Sequence, residues 1–373
     1  MLTATLLLMG CGKPGNENTD SASAPGDKLV TTTRGDHVDT YFGVEVPDPY
    51  RWLEDDLSSD TADWIADQNA STRSYIDAIS LRDDVKNTVA RLLNFERETA
   101  PFIEGGKRYF FRNSGLQNQR VLYRIEDDGS EVVFLDPNTF SEDGTVSMSS
   151  VSFSEDGSLV AYQLSEGGSD WRSIVIRDVA TGDVLESPLV DVKFSGINWL
   201  GNEGFFYSSY DKPDGSELSA KTDQHKLYFH ALGTPQSSDE VIFGATAEQK
   251  HRYVGASVGG DDRYLVISAA NSTSGNKLFI RDLAVESDEL IVVFADESAD
   301  GSLLESHDDY LLIETNRDAP KGRVIALDPQ AAGETDWRDV IPESEHVLNA
   351  SSSAGYLFAE YMIDAISQVK QYD

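Results

Sequence analysis

The chain is poor in three things, and each shortage closes off a class of answer. It has a single cysteine, Cys11, among 373 residues, so no disulfide can form within it. It is short of positive charge, with 30 Lys and Arg against 65 Asp and Glu and a formal net charge of −35. Binding a phosphate backbone requires a basic surface, so nucleic acid is excluded as a partner. Acidity on this scale reads instead as a solvated surface suited to salty surroundings. Long apolar runs are also missing: residues 2–9 are apolar but too short to cross a bilayer.

What is present is enough for a large core. Hydrophobic residues make up 39% of the chain, which fits one big domain or two ordinary ones. The most informative stretch is YFGVEVPDPYRWLEDDLSSDTADWIADQN, residues 41–69. Pro47 and Pro49 fix φ and push Val46 and Asp48 out of the helical region, so residues 44–50 are extended. A helix is expected to start at Ser58 or Ser59, where a hydroxyl can accept an orphan N–H and Asp60 and Asp63 face the positive end of the dipole. Trp64, Gln68, Thr72, Tyr75 and Ile79, with Ile65 and Ile76 beside them, make one stripe at helical spacing. A second helix is expected over residues 82–93, with Val85, Val89, Leu92 and Leu93 on one face.

After Phe95 the helical period is lost. Short β-branched and aromatic runs alternate with Gly, Asp, Asn and Ser turns, an all-β pattern. Val151-Ser152-Phe153, the turn Ser154-Glu155-Asp156-Gly157, and Leu159-Val160-Ala161-Tyr162 read as strand, tight turn and strand. A strand ending in an apolar-x-Asp or similar turn recurs near Asp136, Asp178, His230, Asp282, Asp328 and Asp373. A period of about 40–50 residues with several strands per unit is the signature of a β-propeller; a β-sandwich with coincidental spacing is the alternative. Blades are expected over residues 99–144, 145–191, 192–247, 248–298 and 299–343, with a sixth beginning near His346. On this phasing the chain stops in mid-blade, which implies an incomplete propeller of about five and a half blades and an N-terminal piece of a longer protein.

The ordered string Asp48-Pro49-Tyr50-Arg51-Trp52-Leu53-Glu54-Asp55, with Trp64 and Gln68-Asn69 after it, resembles the N-terminal signature of the prolyl oligopeptidase family. The likeness continues at Gly168-Ser169-Asp170-Trp171, Val192-Lys193-Phe194-Ser195-Gly196 and Gly204-Phe205-Phe206-Tyr207-Ser208. It runs on through residues 225–234 and Thr315-Asn316-Arg317, covering residues 37–373 in all. The resemblance implies a helical segment over 37–98 followed by a propeller over 99–373, seven-bladed in the family, with the catalytic Ser, Asp and His on an α/β-hydrolase domain absent here. It implies a serine endopeptidase that cuts short peptides after proline and needs no cofactor, the propeller gating access. Its partners would be short proline-containing peptides and its own missing hydrolase domain. Phe194 is implied to line the subsite for the residue two before the proline, and Asp170 to face an arginine of the catalytic domain. Read without the family, Phe194 is a core residue on a strand and Asp170 a turn acid. Around Tyr253-Val254 and residues 268–274 the sequence departs from the family pattern.

Nothing in the chain itself supplies a nucleophile. Ser154 and Ser169 read as turn residues, without the flanking glycines or the following helix pattern that a nucleophile on a strained turn needs. Of the six histidines, His37, His225, His230, His251, His307 and His346, none has an acid and a serine arranged around it. His225 and His230, five apart on an expected strand, point to opposite faces and so do not share a metal; no metal site is expected. Leu8-Met9-Gly10-Cys11 resembles the lipobox of bacterial lipoproteins, although no Lys or Arg precedes Cys11. It implies a signal peptide over 1–11, lipidation at Cys11, a polar tether over 12–36 and a periplasmic or outer-membrane location, the lipid being the only tie to a membrane. Otherwise the true start lies upstream or Cys11 is an ordinary residue. A second function class stays open: a non-catalytic propeller lipoprotein that binds peptide or glycan.

Overall fold

The structure, a computed structural model, describes residues 30–213, 218, 222–259, 262–307, 310–331 and 337–372. Cys11 and most of the expected tether lie outside these residues. The chain forms two compact units, residues 1–91 and 92–373.

In the first unit the proline-rich signature is a fastening. The strands Val38–Tyr41 and Val44–Pro47 pair antiparallel around Phe42 and Gly43, both at positive φ. The backbone N–H of Asp48 donates to His37 O at 2.9 Å and that of Gly35 to Pro49 O at 2.8 Å. Arg51 pairs with Asp39, with Asp48 at 3.0 Å and with Glu54 at 2.9 Å. Trp52 Nε1 donates to Thr33 O at 2.9 Å, and Trp64 Nε1 to Thr32 Oγ1 at 3.0 Å. The signature residues thus pin the segment that precedes them. Helix α1, Ser59–Asp77, begins where expected: Ser58 is the cap, and its hydroxyl accepts the N–H of Thr61 at 3.1 Å. Helix α2 spans Arg82–Leu93. Trp64 and Ile76 are half-buried, but most of the other apolar residues of the two helices are exposed among the described residues. Ile65, Tyr75, Ile79, Val85, Val89, Leu92 and Leu93 are all exposed.

Among the described residues the second unit forms six blades of a β-propeller. Blades 2 to 5, residues 146–193, 198–243, 253–294 and 301–341, are four-stranded antiparallel meanders in which each strand pairs with the next. Blade 1, residues 97–135, adds a split first strand, and blade 6, residues 348–372, has three strands. Near-continuous apolar runs in the central strands, such as Gly204–Ser209, buried at every position, give the sheets two buried faces, so the core is a series of seams between blades. Tyr109, Leu122 and Phe153 join blades 1 and 2, and Ile174, Ile176, Trp199 and Phe205 join 2 and 3. Phe206, Phe243 and Ile267 join 3 and 4, Phe294 and Ile313 join 4 and 5, and Ala326 and Ala359 join 5 and 6.

Two expectations need correction. The repeat landmark near Asp136 closes the fourth strand of blade 1, Glu131–Leu135, whereas the landmarks in blades 2 to 5 close third strands. Third and fourth strands share the same two-residue period, so alternation alone carries no phase. The expected cut between residues 191 and 192 is also misplaced, because Leu189–Lys193 is one strand, hydrogen-bonded to Trp171–Asp178 within blade 2.

Candidate functional site

The two residues singled out from the sequence meet at one end of blade 2. Trp171 opens its third strand and Lys193 closes its fourth, and they stand opposite each other across the antiparallel pair. Asp170 precedes Trp171 and Phe194 follows Lys193, so both step off the sheet on either side of one cross-strand pair. Asp170 is exposed. Phe194 is 43% exposed and held at φ 52°, a left-handed conformation that a bulky side chain enters only when its surroundings enforce it. The next residue supplies that enforcement. Ser195 O accepts from Gln163 Nε2 at 2.8 Å, and Ser195 Oγ accepts from the Ser208 N–H at 2.7 Å and donates to Gly196 O at 2.6 Å.

Behind Phe194 stands an aromatic wall. Tyr210 meets its ring edge-on with centroids 6.3 Å apart, and Tyr253 lies 6.0 Å away on the first strand of blade 4. On its other flank the Lys193 ammonium sits 5.3 Å from the Phe194 ring centroid and 4.9 Å from that of Trp171. Tyr210 donates its hydroxyl to Arg252 O, and burial pushes its pKa up to about 12, so it is neutral at physiological pH.

His225 braces this wall. Its ring stacks on Tyr210 at 4.3 Å, its Nδ1 accepts the Val254 N–H at 2.8 Å, and its Nε2 lies 2.9 Å from Lys193 O. A backbone N–H on Nδ1 leaves the ring proton on Nε2, where it donates to that carbonyl. One neutral imidazole from blade 3 thereby ties the end of blade 2 to the start of blade 4. Burial drives its pKa down to about 4.

His230 has a separate role. Fully buried in the same blade, it bridges Asp239 Oδ1 at 2.8 Å through Nδ1 and Glu186 Oε1 at 2.9 Å through Nε2. Burial opposes its charge, but the two carboxylates outweigh burial and raise its pKa. With both ring nitrogens donating, it has no lone pair for a nucleophile and is no general base. Glu186 belongs to the loop after the third strand of blade 2, so the ion triad is a clasp across the 2–3 seam. Gln236 reinforces it by binding both the N–H and the C=O of Val190, at 3.0 and 2.8 Å. Among the described residues no group of three or more His, Cys, Asp or Glu is placed to hold a metal.

Sequence reasoning reached Phe194 and Asp170 through family resemblance and missed the parts played by Lys193, Tyr210, Tyr253 and His225. Lys193 stood inside a quoted motif, and its place beside Phe194 was the available signal. The others come from blades 3 and 4, and nothing local in the sequence marks them.

Six meandering blades, with a strained aromatic projecting from one blade end, define the class: a propeller module presenting an aromatic wall at the end of its blades. Comparison with known proteins makes the assignment specific. The family described as "Prolyl oligopeptidase, N-terminal beta-propeller domain" matches residues 30–373, and the chain belongs to that family. It is 50% identical over 347 residues to the prolyl endopeptidase of Elizabethkingia meningoseptica, covering 93% of this chain and 49% of that protein. The prolyl endopeptidase of Elizabethkingia miricola is 48% identical over 358 residues, covering 96% and 50%. Among solved structures, prolyl oligopeptidase B from Galerina marginata, bound to a 25mer macrocyclization substrate, superposes with a TM-score of 0.79 at 29% identity, covering 94% of this chain and 53% of that one. The chain spans about half the length of the relatives it matches.

Proposed function

We propose that this chain is the propeller portion of a serine peptidase that cleaves short peptides on the carboxyl side of proline, and that the aromatic end of blade 2 forms part of the wall facing the substrate. The observation that carries this is the convergence of Asp170 and Phe194 at one strand end, with Phe194 exposed, strained and backed by Tyr210 and Tyr253. A flat apolar surface of this kind suits the side chain two residues before the proline. Asp170, exposed and without an ion pair among the described residues, is available to an arginine of the catalytic domain.

Acyl transfer needs a nucleophile, a base, an acid to orient it and donors for the oxyanion. The G-x-S-x-G at Gly255-Ala256-Ser257-Val258-Gly259 runs along the first strand of blade 4, where Ser257 pairs with Val266, and not on a strand-to-helix turn; the buried histidines are engaged in blade seams. We assign the bond-breaking groups to the part of the protein that aligns with the other half of the relatives, and to this chain the wall and the gate that limits entry to short peptides. No cofactor enters such chemistry. A lipid at Cys11 would tether the protein to a membrane surface, which mass spectrometry of the mature N-terminus would reveal.

The test is a fluorogenic peptide with proline before the reporter. The complete gene product should hydrolyse it and be silenced by a serine-directed fluorophosphonate; residues 1–373 alone should not turn it over. In the complete protein, Phe194→Ala should raise KM about tenfold with a smaller change in kcat, since roughly 1.4 kcal/mol of apolar contact is lost. Hydrolysis by residues 1–373 alone would mean the nucleophile lies here, and a complete product inert toward every proline peptide would end the assignment and favour a binding propeller.

A further inference from the structure

Lys193 presents its side chain between two aromatic rings at the end of blade 2. The residue is 9% exposed, and among the described residues its ammonium has neither a carboxylate at ion-pair distance nor a hydrogen-bond acceptor. Its contacts are the faces of Trp171 and Phe194, at 4.9 and 5.3 Å. Cation–π attraction accounts for two faces of the ammonium's surroundings, and its remaining donors are free to take an anion. The obvious internal candidate does not fill that role, since Asp170, one step beyond the Trp171–Lys193 pair, forms no ion pair with it.

Neighbouring cations add to the field. Arg252 lies over the ring of Tyr253 at 5.9 Å and has no carboxylate partner among the described residues. Arg172, next to Trp171, donates Nη1 to the neutral Gln163 Oε1 at 3.0 Å. Lys212, farther along, is paired with Asp191 at 3.0 Å. In a chain with 65 acidic and 30 basic residues, Lys193 lies against the exposed ring of Phe194, and Arg252 lies over Tyr253, which backs that ring. Asp170, at the same end, opposes them in part.

We infer that Lys193 receives a carboxylate of the bound peptide, so that substrates with Glu or Asp at or beside the residue seated on Phe194 are preferred over their amide counterparts. The apolar ring takes the methylene stem and the ammonium takes the carboxylate, an arrangement stronger than a neutral hydrogen bond. Lys193 is then a specificity-determining residue, and this role rests on the proposed peptidase function.

The experiment uses the complete gene product and two proline peptides identical except for Glu or Gln two residues before the proline. Hydrolysis is followed for each, and binding is read in parallel by fluorescence anisotropy of labelled copies. The Glu peptide should be favoured in kcat/KM by about tenfold at low salt, with the ratio falling toward one as salt screens the pair. Lys193→Met should bring the ratio near one and Lys193→Arg should restore it. The salt series on the unaltered protein stands even if the Met variant fails to fold. Turnover of both peptides without a Glu preference, or a Met variant that slows both by the same factor, would overturn the role of Lys193 and leave the peptidase standing. A Glu preference in binding with no turnover would do the reverse.

Discussion

His225 has no exposed surface, yet it is one of the few titratable groups whose charge state decides whether three blades hold together. In the folded chain it must be neutral, because Nδ1 accepts from Val254 and burial holds its pKa at about 4. In the unfolded chain it titrates near 6.5. The unfolded state therefore binds the proton more readily. The contribution to stability is complete above about pH 6.5 and is lost progressively as the pH falls toward 4, by about 3 kcal/mol in all. Urea midpoints measured across that interval should fall steeply for the natural chain and less steeply for His225→Gln, which keeps a donor and an acceptor but cannot charge. Equal slopes would mean that the imidazole is already protonated when folded. The spacing of His225 and His230 along the sequence was readable in advance. Their partners were not, because Lys193, Val254 and Glu186 lie far away in sequence and reach them only across blade seams.

Local rules worked best for single elements. The hydroxyl at Ser58 and the acids after it mark the start of α1, and the bounds of α2 follow from its apolar spacing, since both depend on neighbours within a turn or two. The turn at Gly157 was also legible, but its contact was not. Gly157 adopts φ 68°, and a Cβ there would collide with the Cα and N of Gly105 in a turn of blade 1. Two glycine turns from adjacent blades meet back to back. Gly157→Ala is expected to cost about 2–4 kcal/mol, combining left-handed strain with overpacking. Gly129→Ala is the control: φ is 83° there but a Cβ meets nothing within 4 Å, so only the strain of about 1 kcal/mol should appear. Chemical denaturation of both variants would distinguish them, and equal losses would remove the packing argument. The misplaced landmark in blade 1 has the opposite cause: third and fourth strands look alike locally, and only pairing tells them apart.

The whole molecule carries its charge of −35 on a surface where like charges crowd. Self-repulsion favours expansion and is screened by salt, so the melting temperature should rise as salt is added, and a flat or falling response would show that the acids are locally compensated. The last strand, Ile366–Tyr372, pairs only with Tyr356–Ile363 among the described residues and exposes Ile366 and Val369, which makes it a sheet edge. The number of blades was nearly readable from the repeat, and the family from a handful of ordered motifs. Composition and spacing, by themselves, determined that this is an acidic chain with no internal disulfide, two helices and repeated units of several short strands, because those properties are set by residues close together along the backbone. Which strand closes each blade, which ring backs Phe194, and which ammonium waits beside it were decided only by tertiary structure, since each depends on side chains from different blades arriving at one seam.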